Sequence, residues 1–236
     1  MSNPYFQFKQ FTVWHDKCAM KVGTDGVLLG AWTLVESAHR ILDIGTGTGL
    51  VALMLAQRSL PDANIVALEI DEAAVGQARE NIIRSPWKER VEVVQADFKK
   101  YRSLDKFDVI VSNPPYFVDS LECPDRQRAA ARHNDSLTYE DLLEGVSGLL
   151  AEDGFFTMVI PADVAERVKK IAYMRKLYAV RQLNVITKPG GIPKRVLITF
   201  SFSNQECIVE ELLTELARHQ YSEEYMTLTR DYYLNM

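Results

Sequence analysis

The most chemically distinctive segment of the sequence is Asn113-Pro114-Pro115-Tyr116, which follows a short apolar run. Two consecutive prolines fix the backbone and remove two N–H donors, so the segment presents the Asn113 amide oxygen and the Pro114 carbonyl as rigid acceptors. Two acceptors could bind both hydrogens of one planar NH2 group and draw its nitrogen toward tetrahedral geometry. The nitrogen lone pair could then attack a methyl sulfonium, and the Tyr116 ring could stack on a flipped base. In isolation, a Pro-Pro turn that ends a strand is the more common explanation.

A glycine-rich segment, Gly45-Thr46-Gly47-Thr48-Gly49, lies between an apolar run and a predicted helix. Glycines let the backbone turn tightly and approach a ligand closely. Such turns often bind phosphate through backbone N–H groups, but the spacing here is GxGxG and differs from the GxGxxG of dinucleotide-binding folds. Asp43, two residues before the first glycine, would repel a pyrophosphate. A carboxylate there suits a cation, and S-adenosylmethionine carries a sulfonium and an ammonium but no phosphate.

Two further acids end the next apolar runs. Glu69 comes twenty residues after Gly49 and could accept both hydroxyls of a ribose, while Ile70 beside it could cover one face of an adenine. Asp97 could accept a hydrogen bond from an adenine amine, and Phe98 could stack on the ring. Taken singly, Glu69 is equally well explained as an exposed charge, and an Asp-Phe pair is more often a helix cap and a core ring.

The elements that must position these residues appear as short apolar runs that alternate with helical patterns from residue 40 onward. Seven runs predict strands: Arg40–Gly45, Asn64–Ile70, Val91–Asp97, Phe107–Asn113, Gly154–Pro161, Tyr178–Ile186 and Val196–Phe202. Four patterns predict helices: Thr48–Arg58, Glu72–Arg84 with Asp71 as its N-cap, Thr138–Leu150 and Asp163–Leu177. This alternation is typical of a doubly wound α/β domain with a mostly parallel sheet that is covered on both faces.

The predicted sheet has seven strands, and its last strand is antiparallel because no helix separates it from the strand before it. Ligands in a doubly wound sheet bind beyond the carboxyl ends of the strands. Asp43, Glu69, Asp97 and Asn113 all fall at such ends, so we expect one site at this edge. The residues after Asn204 leave two alternatives open. Cys207-Ile208-Val209 could extend the sheet, and Glu210 to Arg218 has a helical apolar stripe.

The ordered set of glycine loop and strand-end acids resembles the class I S-adenosylmethionine-dependent methyltransferases, which have a Rossmann-like fold, over residues 40 to about 202. The Asn-Pro-Pro-Tyr segment resembles the motif of enzymes that methylate adenine N6, cytosine N4, guanine N2 or a glutamine side-chain amide. Together with Met20–Trp32, Lys188–Arg195 and Leu228–Leu234, it closely resembles the bacterial tRNA(Val) adenine N6-methyltransferases, which modify the adenine next to the anticodon. This resemblance implies S-adenosylmethionine as cofactor, tRNA as substrate, and further cofactor contacts at Lys21, Thr24 and Asp25.

Local basic residues agree with an RNA substrate. The loop from Lys188 to Arg195 contains three positive charges, Lys188, Lys194 and Arg195, and no acid. It follows a strand that we expect to be parallel, so it should lie at the same edge of the sheet as the site. Arg126, Arg128 and Arg132 follow the Asn-Pro-Pro-Tyr segment, together with His133. Such residues could contact phosphates without reading sequence, with Tyr116, Arg128, Lys188, Lys194 and Arg195 as the predicted substrate contacts. A solvated basic surface is the alternative explanation for each cluster.

Composition narrows the class of protein further. The 236 residues carry a net charge of −5, so a nucleic-acid partner would depend on a local basic patch. Three separated cysteines and four histidines without ligand spacing predict no metal site. No apolar run is long enough for a membrane span, and no secretory signal is apparent, so we expect a cytoplasmic protein with no obligatory protein partner evident. The chain should form one domain, with 1–39 as an N-terminal rim segment and 204–236 as a C-terminal extension.

The sequence thus favours a tRNA adenine N6-methyltransferase, and other functions remain as alternatives. A glutamine-amide methyltransferase of a release factor would use the same Asn-Pro-Pro-Tyr chemistry but should not need basic residues around the site. An rRNA or DNA amino-methyltransferase would also share the motif. A non-catalytic RNA-binding domain would need none of Asp43, Glu69 and Asn113, and the missing GxGxxG disfavours an NAD-dependent oxidoreductase.

Overall fold

The structure is a computed structural model that describes residues 3–18, 21–114, 137–218 and 220–236. Its centre is a sheet of eight strands: β3 Arg40–Ile44, β4 Asn64–Glu69, β5 Val91–Gln95, β6 Phe107–Ser112, β7 Leu150–Pro161, β8 Tyr178–Ile186, β9 Arg195–Ser201 and β10 Ile208–Leu213. Two small antiparallel pairs flank it: β1 Tyr5–Gln7 with β2 Thr12–Trp14, and β11 Glu215–Ala217 with β12 Gln220–Tyr221. The α-helices described are α1 Thr24–Trp32, α2 Leu50–Arg58, α3 Glu72–Ile83, α4 Tyr139–Leu149, α5 Ala165–Tyr173 and α6 Glu223–Thr229, and short 3-10 helices lie at Phe98–Lys100 and Ala162–Val164.

The order of strands across the sheet is β10-β8-β9-β7-β6-β3-β4-β5. β9 runs antiparallel to both of its neighbours, β7 and β8, and every other adjacent pair is parallel. The prediction of a doubly wound, mostly parallel sheet is confirmed, including the antiparallel orientation of the last of the seven predicted strands. The carboxyl ends of β3, β4, β6, β8 and β10 therefore meet at one edge.

The sheet contains one strand more than the seven that were predicted. β10 adds to the open edge of β8 in parallel register, with Ile208 opposite Arg181 and Leu213 opposite Ile186. The strand alternative for the residues after Asn204 is right, and the helical one is wrong, because Glu210 to Leu213 continue β10 and Glu215–Ala217 forms β11. An unpaired sheet edge offers a row of backbone donors and acceptors, and pairing with it overrides the helical pattern of side chains.

Helices cover both faces of the sheet, which explains why its strands are apolar without interruption. Successive residues of β3 point to opposite sides, so that Ile41 packs with Leu53 of α2 in one core and Leu42 packs with Leu142 of α4 in the other. The predicted inner stripe of α3, which comprises Val75, Ala78 and Ile82, is buried in the first core. The same core takes in the N-terminal hairpin, β1 and β2 with the turn between them, and the C-terminal helix α6.

Helix boundaries follow local backbone chemistry. Asp71 caps α3 by accepting a hydrogen bond from the Ala74 N–H at 2.8 Å, as predicted. α2 begins at Leu50, two residues later than predicted, because Gly49 has φ +82° and cannot be helical. α5 ends well before Leu177, because Lys176 takes the left-handed conformation at φ +60°.

Two glycines bring α1 directly onto α2 and so place the start of α1 at the edge of the sheet. A Cβ at Gly30 would lie 2.7 Å from the Cβ of Met54, and one at Gly26 would lie 3.1 Å from Cδ2 of Leu50. Arg58 of α2 closes the contact by donating hydrogen bonds to the Gly30 and Ala31 carbonyls at 2.9 and 2.5 Å.

Candidate active site

The glycine loop between β3 and α2 leaves open space beyond the ends of the strands. Gly45, Gly47 and Gly49 all have positive φ, at +72°, +55° and +82°, which L side chains rarely adopt. A Cβ at Gly45 or Gly47 would meet no atom within 4 Å, whereas one at Gly49 would contact Ala78 of α3 at 3.6 Å. Gly45 and Gly47 therefore expose their backbone toward a space that a side chain would fill.

Asp43 lies at the end of β3, beneath this loop, and its side chain is almost completely buried. The Thr46 hydroxyl donates a hydrogen bond to its Oδ2 at 2.6 Å. Burial raises the pKa of the Asp43 carboxyl to about 7, against the lowering effect of hydrogen bonds from Thr46 and Ala52, and the nearby Glu69 carboxylate raises it further. A bound cation nearby would favour the ionised form of this group.

Glu69 is fixed against the glycine loop by backbone donors. Its Oε2 accepts from the Gly47 N–H at 2.9 Å, and its Oε1 accepts from the Ile70 and Asp71 N–H groups at 2.8 and 3.0 Å. A carboxylate has about four acceptor positions, so capacity remains for a ligand hydroxyl. Ile70 is 60% exposed beside it, which fits the predicted contact with one face of an adenine.

Asp97 and Phe98 have the cap-and-core arrangement that the sequence left as an alternative. Asp97 caps the 3-10 helix at Phe98–Lys100 by accepting from the Lys99 N–H at 3.0 Å. Phe98 is only 6% exposed, and it packs so closely on α4 that a Cβ at Gly145 would lie 2.6 Å from the ring. Little ring surface is left for the predicted stacking on adenine, while the Asp97 side chain is 22% exposed and keeps acceptor capacity.

Asn113 and Pro114 follow β6, the strand next to β3, and so lie beside the glycine loop. The Ser112 hydroxyl donates to the Ile44 carbonyl at 3.0 Å and holds the two strand ends together. Asn113 is half-buried, and its amide nitrogen lies 3.9 Å from the position a Cβ would take at Gly26 of α1. Pro114 is buried. The other predicted residues that follow, Pro115, Tyr116, Arg126, Arg128, Arg132 and His133, lie outside the described residues.

The start of α1 and the loop between β8 and β9 meet at the same edge. Asp25 Oδ2 accepts from Arg195 Nε at 3.0 Å, so an ion pair joins a predicted cofactor contact to a predicted substrate contact. Thr24 is exposed at the first position of α1, and Lys21 is exposed just before it. Lys188 and Lys194 are exposed in the loop, where Gly190 takes a positive φ of +72°.

Asn81 is a positioning residue that sequence reasoning missed. Its buried amide accepts from the Trp14 N–H at 2.9 Å and donates to the Trp14 and Thr48 carbonyls at 2.8 and 2.9 Å. The side chain thereby ties the N-terminal hairpin to the glycine loop. The signal in the sequence is a polar residue beside the apolar stripe of α3, three residues after Ala78.

Two kinds of feature are absent from the part of the chain that the structure describes. Among residues 3–18, 21–114, 137–218 and 220–236, no three His, Cys, Asp or Glu side chains are grouped as a metal site would require. Nor does any helix in that part of the chain have the length and apolar character needed to cross a bilayer.

Comparison with solved structures identifies the fold as that of the class I methyltransferases. A protein described as a predicted O-methyltransferase from Agrobacterium tumefaciens superposes with a TM-score of 0.70 at 20% identity, over 90% of this chain and 100% of that one. A ribosomal protein L11 methylase from Lactobacillus delbrueckii gives a TM-score of 0.59 at 15% identity, over 81% of this chain and 84% of that one.

Sequence comparison gives the family. Residues 22–176 match the family model of the methyltransferase small domain. The chain is 78% identical to the tRNA1(Val) (adenine(37)-N6)-methyltransferase of Bacteroides thetaiotaomicron over the whole of both chains. It is 44% identical to the protein of the same name from Yersinia enterocolitica, over 98% of this chain and 92% of that one. The chain therefore belongs to the tRNA1(Val) (adenine(37)-N6)-methyltransferase family, within the methyltransferase small domain proteins, and the resemblance predicted from the sequence is confirmed.

Proposed function

We propose that the protein transfers a methyl group from S-adenosylmethionine to the exocyclic N6 of the adenine next to the anticodon of tRNA(Val). The observation that carries the proposal is the position of Asn113 and Pro114 at the end of β6, beside the open space over Gly45 and Gly47. The full-length identity to relatives that bear this activity in their names supports the same substrate.

The residues at the ends of β3 and β4 fit S-adenosylmethionine. Gly45 and Gly47 leave a space that any side chain would fill, and the Glu69 carboxylate has acceptor capacity for ribose hydroxyls. In its ionised form the Asp43 carboxyl has a negative charge that suits a cationic ligand, and Thr24 and Asp25 border the site from α1. When bound, the cofactor supplies a methyl group on a positively charged sulfur, which is an electrophile.

Asn113 and Pro114 act on the nucleophile. In adenine the lone pair of N6 is delocalised into the ring, so the amine is a weak nucleophile. The Asn113 amide oxygen and the Pro114 carbonyl each accept one of its two hydrogens, which favours tetrahedral geometry at nitrogen and localises the lone pair. Holding both reactants in contact supplies much of the acceleration. The extra N–H proton leaves to solvent after transfer, so no strong general base is required.

We propose that Lys188, Lys194 and Arg195, in the loop between β8 and β9, contact phosphates of the tRNA. Tyr116 and Arg128, which lie outside the described residues, are further proposed contacts with the substrate. Lys188 and Lys194 are exposed, and Arg195 is held in place by Asp25. Contacts of this kind orient an RNA without reading its sequence. In agreement with a protein that meets tRNA directly, we propose a cytoplasmic location.

The test supplies methyl-labelled S-adenosylmethionine with four substrates in parallel: unmodified tRNA(Val), ribosomal RNA, DNA and a release factor. We expect N6-methyladenosine in the tRNA by nucleoside mass spectrometry. Asn113→Ala should lower kcat roughly 100- to 1,000-fold, as removal of one transition-state hydrogen bond does, and change cofactor affinity only a few-fold. Asn64→Ala, at the opposite end of β4, is the matched control. Label in the release factor, or full turnover by Asn113→Ala, would contradict the proposal.

A further inference from the structure

A second concave region lies at the same edge of the sheet, beyond β8 and β10. It is a cavity of about 910 Å3 between the N-terminal hairpin and the C-terminal segment, residues 214–236. Thr24, Asp25 and Arg195 belong both to its lining and to the rim of the candidate active site. Pockets for small ligands are typically about 300–1,000 Å3, so this one has room for a nucleotide.

Tyrosine rings form one wall of this cavity. Tyr221 and Tyr225 have ring centroids 5.3 Å apart, and Tyr225 is followed by Tyr233 at 6.5 Å. Tyr225 is 3% exposed and its hydroxyl lies 3.4 Å from that of Tyr233, whereas Tyr221 is 36% exposed. The two inner rings therefore support an outer ring that is accessible to a ligand. A planar base can stack on such a ring whatever its identity.

The lining of the cavity also includes charged and hydrogen-bonding residues. Lys194 is exposed there, beside the Asp25–Arg195 ion pair, and it can contact a phosphate. Glu215 and the amides of Asn3 and Gln7 also line the space and can pair with the edge of a base. A lining that combines tyrosine rings, a lysine and polar groups is chemically complementary to a nucleotide.

The N-terminal hairpin and the C-terminal segment, which both line the cavity, are joined by direct contacts. The Lys9 N–H donates to the Tyr232 carbonyl at 2.8 Å, and Lys9 Nζ donates to the Met236 carbonyl at 3.0 Å. The rings of Phe8 and Tyr233 stack with centroids 5.9 Å apart. The aromatic wall is thus held in place before any ligand arrives, which lowers the entropic cost of binding.

We propose that this cavity binds an unstacked nucleotide of the RNA substrate, distinct from the adenine that is methylated, with its base on Tyr221 and its phosphate at Lys194. Specific RNA recognition commonly uses loop bases that leave the stack and lie on aromatic side chains. The proposal rests on the proposed function, because the shared rim of Thr24 and Asp25 places the cavity next to the site where the target adenine would react. One anticodon loop would span both sites.

The test uses anticodon stem–loop RNAs of tRNA(Val), each with the fluorescent base 2-aminopurine at one loop position other than the target. We expect one position to change fluorescence on binding, and Tyr221→Ala to abolish that change. Loss of a base–aromatic stack should weaken RNA binding roughly 5- to 100-fold. It should raise KM for RNA with little effect on kcat or on S-adenosylmethionine affinity. Tyr221→Phe keeps the ring and should restore binding to within about twofold of the original.

Two further variants separate stacking from folding. Tyr173→Ala removes a tyrosine that is 68% exposed on α5, outside the cavity, and should leave RNA binding unchanged. Lys194→Ala removes an exposed charge from the lining of the cavity and should raise KM for RNA without changing the thermal unfolding midpoint. If the unaltered protein methylates tRNA and both Tyr221→Ala and Lys194→Ala bind RNA as it does, the cavity proposal is wrong while the proposed function stands. If the unaltered protein methylates no RNA, the proposed function fails, and this inference fails with it.

Discussion

The carboxyl ends of β3 and β4 and those of β8 and β10 lie at one edge of the sheet, yet the two regions are assembled differently. At β3 and β4, Thr46 bonds to Asp43, and Glu69 bonds to Gly47, Ile70 and Asp71, all within one short stretch of chain. At β8 and β10, Asp25 pairs with Arg195 across 170 positions, and Lys9 bonds to Met236 across 227. The first region is local in sequence, whereas the second needs the whole chain to be folded.

This difference has a functional consequence. The proposed cofactor site, which is made from the β3–α2–β4 unit, can be formed by short-range contacts, and such units are shared with many proteins of the fold. The proposed substrate site, which is made from both chain ends and the hairpin loop between β8 and β9, can vary without disturbing the first. We therefore expect substitutions at β3 and β4 to change cofactor binding, and substitutions at β8, β10 and the C-terminal segment to change RNA binding.

The sharpest test makes the same substitution in both regions. Gly47→Val and Gly190→Val each place a side chain at a glycine with positive φ and open space around it, +55° and +72° respectively. Each should lower the free energy of unfolding by roughly 1–2 kcal/mol. Only Gly47→Val fills the proposed cofactor space, so its S-adenosylmethionine affinity should fall at least about 100-fold, which is about 2.8 kcal/mol.

Titration calorimetry with S-adenosylmethionine and an RNA binding assay, both applied to the two glycine variants, check this prediction. Gly190→Val should keep cofactor affinity within about twofold and weaken RNA binding instead. Equal cofactor affinity in the two variants would show that the space over Gly47 is not the cofactor site.

The same contrast explains what the sequence could predict. Asp43, Glu69 and Asn113 follow apolar strands in a parallel sheet, so their common edge follows from topology, and the structure places all three there. The Asp25–Arg195 pair and the tyrosine wall were not predictable in this way, because each depends on a tertiary contact. For the same reason β10 stayed one of two alternatives until its pairing with β8 was seen. Phe98 shows a further limit, since its type fits both a stacking ring and a core ring, and packing against Gly145 favours the core.

A second prediction concerns pH dependence in the cofactor region. Because burial raises the Asp43 pKa to about 7, the folded protein favours the neutral carboxyl. The stability that this group contributes is greatest below its ordinary pKa and is lost as the pH rises through about 7. A cationic ligand has the opposite preference, so S-adenosylmethionine should bind more tightly at about pH 7.5 than at about pH 5.5, by up to roughly 25-fold.

Asp43→Asn should remove this dependence and bind the cofactor weakly at both pH values, as measured by calorimetry in buffers of matched ionic strength. Asp153→Asn changes an exposed acid in β7 and should keep the normal profile. RNA affinity at fixed cofactor occupancy should not differ between Asp43→Asn and the unaltered protein. A persistent pH dependence in Asp43→Asn would assign the titration to another group.

The smallest effect is expected for a single phosphate contact on the RNA side. Lys188→Ala removes one exposed charge from the β8–β9 loop and should weaken tRNA binding a few-fold at low salt. Because each phosphate contact releases counterions, the slope of log K against log salt should fall by about 1. Lys88→Ala, beside the amino end of β5 at the opposite edge, removes a lysine that is 58% exposed and should leave the slope unchanged. A lower kcat with an unchanged salt slope would instead mean that the loop acts on the reaction itself. It would contradict the expectation that one region determines cofactor binding and the other determines RNA binding.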